Sequence, residues 1–259
     1  MPELPDLQVF SRNLDKQLRG KQLKKLNMVN TSKLKTTKAT LRKSLEGATL
    51  KKVIRSGKEL HFEFSNGNVL GLHLMLNGNL YLYNEEHDRK KAIIELLFDD
   101  DTGLVMTDFQ GMANATLNPE EKDAPDALSA EVSYKFLKDH LSAKRTIIKT
   151  LLMDQKFIRG IGNAYADEIL WDAGISPSSK ANKIPDPKIR QLARSIKKVL
   201  KDAEKHILKK DPGRISGEVR DFLAIHNARK KQSPTGGTIL HTTIGGRKTY
   251  YTREQEVFT

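Results

Sequence analysis

Apolar residues recur at spacings of three and four over residues 5–18, where Leu7, Phe10, Leu14 and Leu18 fall on one side. That period predicts an amphipathic helix, with Pro5 and Asp6 suited to its first turn. From about residue 48 to 117 the period becomes two. In ELHFEF, Leu60, Phe62 and Phe64 share one face of a strand, and SNGN supplies an Asn66-Gly67 hairpin turn. VLGLHLML follows, then NGN as a second turn, then LYLY. AIIELLF and LVMTDF flank DDDTG, another tight turn. Alternation punctuated in this way predicts an antiparallel sandwich or flattened barrel.

The acidic, proline-containing stretch NPEEKDAPDALSAE (118–131) reads as an interdomain linker. Helical periodicity then dominates to about 228. LSAKRTIIKTLLMDQKFI (141–158) reads as one helix, broken by RGIGN. NAYADEILWDAG reads as a second, ended by Gly174 and Pro177. Residues 186–210 read as a long third, with Asp186 as N-cap and Pro187 as first helical residue. The tail is basic and rich in Gly and Thr, and GGTILHTTIGGRKTYYT predicts two short strands around a turn. The fold class is α+β: an amino-terminal β-sandwich with a flanking helix (1–117), the linker (118–131), a helical domain (132–228) and a β-hairpin tail (229–259). No repeat or low-complexity segment interrupts this order.

Composition narrows the partners. The 259 residues hold 45 Lys and Arg against 32 Asp and Glu, a formal charge of +13, which suits a polyanion such as nucleic acid. No signal-peptide pattern is visible, and no apolar run approaches the roughly 18 residues of a membrane span. The absence of cysteine excludes disulfides and thiolate metal sites, and fits a cytosolic protein. The seven histidines show no metal-ligand spacing, and GRISGEV lacks the ending of a phosphate loop, so neither metal nor cofactor is expected.

Four features could carry chemistry. The chain opens MPELPD. Removal of the initiator Met, common before proline, would leave Pro2 as a secondary amine. An α-amino group titrates near pH 8, so part of it is nucleophilic at neutral pH. Attack on a sugar aldehyde carbon gives an iminium. That cation acidifies the adjacent C–H and allows a phosphate to leave by elimination, with Glu3 placed to move protons. In RSGKELHF, Lys58 follows Gly57 at a strand entrance and could bind a phosphate or act as a catalytic acid in a pocket. In LLMDQKFIRGIGNAYADEILW, two helices meet at Gly160–Asn163, making an anion site from a helix N-terminus and the Asn163 amide. In GGRKTYYT, a turn presents Arg247 beside Lys248 and could set a guanidinium between phosphates. Each feature alone also has a plainer reading: a helix lead-in, a solvated turn lysine, a helical hairpin, a surface basic turn.

Together and in this order they resemble the bifunctional DNA glycosylases of the formamidopyrimidine-DNA glycosylase and endonuclease VIII family. MPELP, SGKELHFEF, LHLMLNGNL and LMDQKFIRGIGNAYADEILWDAGISP carry the resemblance over nearly the whole chain. It implies DNA held between a β-sandwich and a helix–two-turn–helix domain, with an oxidised base removed and the strand then cut by β,δ-elimination. Pro2 would be the nucleophile, Glu3 the proton shuttle, and Lys58, Asn163 and Arg247 the phosphate ligands around an everted nucleotide. Everting the base costs a few kcal/mol, least for damaged pairs. Leu4 leans towards the formamidopyrimidine branch and so towards oxidised purines.

Three departures stand out. Ser233, Gly236, Thr252 and Gln255 occupy the places of four zinc-binding cysteines, which implies a zincless finger with Ile239, Leu240, Ile244 and Tyr251 packing in place of the metal. Leu76, Gln110 and Met112 stand where the family's Met, Arg and Phe fill the space left by the everted base. Asp6, a support for the amine, is one methylene shorter than the usual Glu. The lesion-reading loop falls within 210–222. The implied partner is duplex DNA with oxidised bases or abasic sites, bound by a monomer in a bacterial-type cytoplasm and associated with the nucleoid. The competing readings are a non-catalytic damaged-DNA binder, a ribosome- or topoisomerase-associated helix–two-turn–helix protein, and a tautomerase using an amino-terminal proline.

Overall fold

In a computed structural model, which describes residues 1–29, 36–84 and 89–259, the first apolar period forms helix α1 (Leu4–Leu18). Leu7, Phe10, Leu14 and Leu18 are all buried. The chain divides into two units: residues 1–121 with 207–218, and residues 122–206 with 219–259. Residues 207–218 thus group with the first unit, although the sequence places them inside the helical segment 132–228.

The first unit holds β1 (Leu23–Met28), α2 (Lys38–Leu45), β2 (Leu50–Ser56), β3 (Glu59–Phe64), β4 (Val69–His73), β5 (Asn79–Tyr83), β6 (Ala92–Phe98), β7 (Gly103–Thr107) and β8 (Asn114–Leu117). They form two four-stranded antiparallel sheets, ordered β1-β6-β7-β5 and β2-β3-β4-β8. The hairpins at Asn66-Gly67 and at DDDTG are present, with Glu63 opposite Val69 and Leu97 opposite Gly103. The NGN turn is not a hairpin. β4 pairs with β3 and β8 while β5 pairs with β7, so residues 74–78 carry the chain from one sheet to the other. Neither β1 nor α2 is visible in the apolar pattern. In β1 the register shifts between Leu23 and Lys25, and that irregularity breaks the alternation.

The second unit holds α3 (Tyr134–Leu141), α4 (Ile148–Met153), α5 (Asn163–Asp172), α6 (Asp186–Lys210, whose last residues group with the first unit) and the hairpin β9 (Leu240–Ile244) and β10 (Arg247–Tyr251). The helix expected over 141–158 is broken. Ile147 bridges Lys180 in β fashion and the Ile148 amide bonds the Ser179 carbonyl, so helix resumes only at Ile148. Gly174, at φ +64°, closes α5 with bonds from its own amide to Trp171 and from Ile175 to Leu170, a Schellman end. α6 begins one residue earlier than expected. Pro185 supplies the first accepting carbonyl, and the Asp186 carboxylate instead receives the Tyr134 hydroxyl at 2.8 Å and the Lys138 amine at 2.6 Å. Residues 124–127, within the stretch expected to be a linker, dock on the two-turn segment: Arg159 exchanges backbone bonds with Pro125 and Ala127, and its Nε donates to the Ala124 carbonyl at 2.6 Å. Among the described residues no helix is long and apolar enough to cross a membrane.

Phe62 is fully buried at the centre of β3. Phe62→Ala is expected to lower unfolding free energy by about 3–5 kcal/mol, read from the urea midpoint.

Candidate functional site

In the first unit the chain's leading end is locked by helix capping. Glu3 is the N-cap of α1. Its carboxylate accepts from the Asp6 amide, and the Asp6 carboxylate accepts from the Glu3 amide at 2.9 Å. Glu3 is 4% exposed and Asp6 0%, and Pro2 is buried beside them. Asp6 thus fixes the backbone that carries Pro2 and Glu3. The Met1 ammonium pairs with Glu218, on the returning segment 207–218. That segment is anchored by the Asn13 side chain, which donates to the Arg214 carbonyl at 2.7 Å, and by Ser216, which bonds the Leu80 amide and the Asn79 side chain.

Lys58 sits in the two-residue turn between β2 and β3. Gly57 adopts φ +59°, the conformation that a glycine-first hairpin turn requires. Arg55 ties this turn to α1: its Nε donates to Gln8 Oε1 at 2.8 Å and its Nη1 to the Gly57 carbonyl at 3.1 Å. The opening turns of α1 and the Lys58 turn are therefore neighbours. Sequence reasoning passed over Arg55 because it reads as one more strand-end cation.

Leu76 and the loop that holds Gln110 and Met112 also come together. Asn79 opposes Thr107 at the paired ends of β5 and β7, so residues 74–78 and 108–113 emerge side by side. The first loop closes through a Gly78 amide to Leu74 carbonyl bond, and a Cβ at Gly78 would lie 2.2 Å from that oxygen. The second is built on Asp108, 2% exposed, whose carboxylate accepts from the Gln110, Met112 and Ala113 amides at 2.9, 2.6 and 2.7 Å. Leu76 is 51% exposed and Met112 37%. Phe109, on the same loop as Met112, is 82% exposed, an apolar projection that the sequence reading left out. Large apolar side chains held out by hydrogen-bonded loops suit insertion into an apolar gap.

In the second unit the two turns before α5 are stapled by side chains. Asp154 caps α4 and accepts from the Lys156 amide. Gln155 donates to the Met153 and Ile161 carbonyls and accepts from the Gly160 amide. Asn163 is then the first residue of α5. Its Nδ2 donates to the Lys248 carbonyl at 3.0 Å, while its buried Oδ1 has no hydrogen-bond partner. Arg247 is exposed and follows the Gly245-Gly246 turn, where φ is +55° and +72°. The structure therefore joins Asn163 to the hairpin that presents Arg247.

A buried ionic cluster makes that junction. Lys149 of α4 and Asp167 of α5, both 0% exposed, pair at 2.7 Å. Lys149 Nζ also donates to Thr249 Oγ1 at 2.7 Å. Asp167 Oδ2 accepts from the Tyr250 amide at 2.9 Å and lies 2.7 Å from His226 Nδ1. The adjacent Glu168 accepts the amides of Ala224, Ile225 and His226. Burial pushes its carboxyl upward, opposed by those three bonds.

The finger is not held by the apolar side chains expected. Ile239, Leu240, Ile244 and Tyr251 are only half-buried. Three of the four cysteine-equivalent positions, Ser233, Thr252 and Gln255, are at most 6% exposed. The Glu254 carboxylate accepts from the hydroxyls of Ser233 and Thr252, each at 3.0 Å, and so spans the turns 233–236 and 252–255. Gln255 Oε1 accepts from the Thr252 amide, and Gln255 Nε2 donates to the Ile175 carbonyl. A Cβ on Gly237 would lie 2.2 Å from the Glu254 carboxylate, so a larger residue there would displace that side chain. Among the described residues no group of three or more His, Cys, Asp or Glu could hold a metal ion.

Hydrogen bonds from Thr235, then Thr252 and Ser233, hold the Glu254 carboxyl below its ordinary value of 4.5, against desolvation. A lowered carboxylate pKa stabilises the fold above the ordinary value, and that contribution is lost as pH falls through the folded value. Hydrogen-exchange protection of the Gly237 and Thr252 amides is therefore expected to fall below pH 4.5. In Glu254→Gln the same amides should be less protected at pH 7, with little further loss in acid.

Residues 1–115 match the family model described as the formamidopyrimidine-DNA glycosylase N-terminal domain, and residues 124–210 the formamidopyrimidine-DNA glycosylase H2TH domain. The chain is 30% identical over 268 residues to the formamidopyrimidine-DNA glycosylase of Lactobacillus gasseri, and 30% identical over 275 residues to that of Bacillus subtilis, with 97% of each chain covered in both cases. It is similar in structure to Lactococcus lactis Fpg in complex with abasic-site DNA, at TM-score 0.86 and 25% identity over 97% of this chain and 98% of that one. It is also similar to MutM in complex with DNA containing carbocyclic 8-oxo-G, at TM-score 0.88 and 26% identity over 98% and 100%.

Proposed function

The chain belongs to the formamidopyrimidine-DNA glycosylase family, and on that premise we propose that it is a bifunctional DNA glycosylase and abasic-site lyase of base excision repair. It removes oxidised bases, purines above all, and cuts the strand by β,δ-elimination. The observation that carries this reading is the reciprocal cap of Glu3 and Asp6, which holds Pro2 and a carboxylate together at a buried chain start.

In this reading Met1 is removed first, because with Met1 attached the Pro2 nitrogen is an amide. The freed amine then attacks the sugar C1′. The damaged base leaves with the electron pair of its glycosidic bond, and ring opening yields an iminium between Pro2 and C1′. Glu3 delivers and removes the protons these steps require. The iminium draws electrons from C2′, a proton leaves there, and the 3′ phosphate departs. A second elimination releases the 5′ phosphate, and water returns the free amine. Lys58, Asn163 and Arg247 take the phosphates flanking the everted nucleotide. Leu76, Phe109 and Met112 fill the gap it leaves, and Gln110 hydrogen-bonds the widowed base. Glu218 lies on the segment in which the family resemblance puts lesion reading. The enzyme acts in a bacterial-type cytoplasm, on nucleoid DNA.

Borohydride is expected to trap a covalent adduct between Met1-processed protein and abasic-site DNA. A protein of the verified processed mass that binds such DNA yet gives no adduct would instead be a non-catalytic damage binder. Glu3→Gln should slow base release by about 10²–10⁴-fold, measured in single turnovers. Arg247→Gln should weaken binding to all sequences alike and reduce the log–log salt slope by about 1.

A further inference from the structure

Helix α6 carries a charge pattern that excision does not use. Its buried face is apolar, with Ile189, Leu192, Ile196, Leu200 and Ala203 at most 4% exposed. On the other face Arg190, Arg194, Lys198, Lys201 and Lys205 are all exposed. Steps of four, four, three and four keep them on one line along the helix. At 1.5 Å per residue the line runs about 22 Å, with a cation every 5–6 Å or so. A single DNA strand advances about 3.4 Å per phosphate, so a line of that length spans about six phosphates.

Only part of this charge is met within the protein. Lys198 pairs with Asp172, and Lys205 lies 3.3 Å from Asp202. Among the described residues no carboxylate lies within ion-pair distance of Arg190, Arg194 or Lys201. The Arg190 guanidinium carbon lies 3.8 Å from the centre of the Tyr134 ring, and after the hydrogen bonds from Lys138 and Tyr134 its charge helps to hold the Asp186 carboxyl below its ordinary range. Arg190, Arg194 and Lys201 also line a shallow groove of about 600 Å³ with Val132, Ser133 and Tyr134. Like charges one turn apart destabilise a helix, so the fold gains nothing from the line itself.

The line is separate from the phosphate site at Asn163. α6 meets α5 at Asp172, where Ser195 Oγ donates to Asp172 Oδ2 at 2.6 Å and Lys198 pairs with Oδ1. Asp172 is the last residue of α5 and Asn163 the first, so the two ends lie about 14 Å apart along the helix.

We propose that the exposed face of α6 is a second duplex-DNA contact, which holds the phosphate backbone of a segment other than the one being repaired. Arg190, Arg194 and Lys201, spread over about 17 Å of one exposed helix face, suit an extended polyanion better than a compact acidic group. A protein bound to one stretch of DNA also meets further stretches of the same polymer at high effective concentration.

The test uses full-length protein saturated with a short duplex carrying an uncleavable abasic analogue, titrated with a second, labelled, undamaged duplex in low salt. The wild type is expected to bind the second duplex. Arg190→Gln/Arg194→Gln/Lys201→Gln should bind it at least about tenfold more weakly, with the log–log salt slope reduced by about 2–3. Affinity for the first duplex and single-turnover excision should be unchanged, and the control Arg190→Lys/Arg194→Lys should retain the second contact. No second binding by the saturated wild type, or equal binding by the triple variant, would overturn the proposal. So would a preference for polyglutamate over DNA, which would mark the face as a site for an acidic protein. Because excision is measured separately, either failure leaves the repair reading intact.

Discussion

Lys149 and Asp167 meet where neither has any exposed surface, and their pairing decides how the second unit is assembled. An ion pair this deep contributes little net stability, because desolvation offsets the attraction. Removing one partner alone, however, leaves an uncompensated interior charge and costs about 3–5 kcal/mol. Thr249 accepts from Lys149, while the Tyr250 amide and His226 meet the second Asp167 oxygen. Those groups come from β10 and from the segment before the finger. The cluster therefore specifies which strand lies on which helix, and Arg247 and Asn163 inherit their relation from it.

The first unit solves a similar problem at its leading end, where a chain terminus would ordinarily fray. Reciprocal bonds between Glu3 and Asp6 start α1, and Arg55 fastens α1 to the Lys58 turn. A carboxylate and a nucleophile candidate are thus placed by backbone geometry, with few side-chain torsions left to fix. Such preorganisation lowers the entropy lost when reacting groups must be aligned.

Much of this was legible in the residues themselves. The three-four period found α1, and the Asn-Gly and DDDTG turns found two hairpins, because in each case local geometry and burial agree. Gly174 marked the end of α5 for the same reason. Legibility failed where distant contacts override local preference. Ile147 leaves the helical path to pair with Lys180, and the bulge in β1 hides its inward face. Asp108 and Asp167 read as ordinary solvated acids. Only the fold shows that one organises a loop through three amides and the other gathers four elements. The candidates Pro2, Glu3, Lys58, Asn163 and Arg247 stand out in the sequence because each sits at a turn or terminus, where the backbone advertises itself. The partners that hold them were not.

The finger has a consequence for where such a protein can operate. Thiolate ligands are consumed by the same peroxides that damage bases, and a cell starved of zinc cannot refill them. Here Ser233, Thr252 and Glu254 close the two turns with hydroxyl and carboxylate groups that neither reaction touches. A repair protein built in this way keeps its hairpin without zinc, and through the oxidative burst in which oxidised bases multiply.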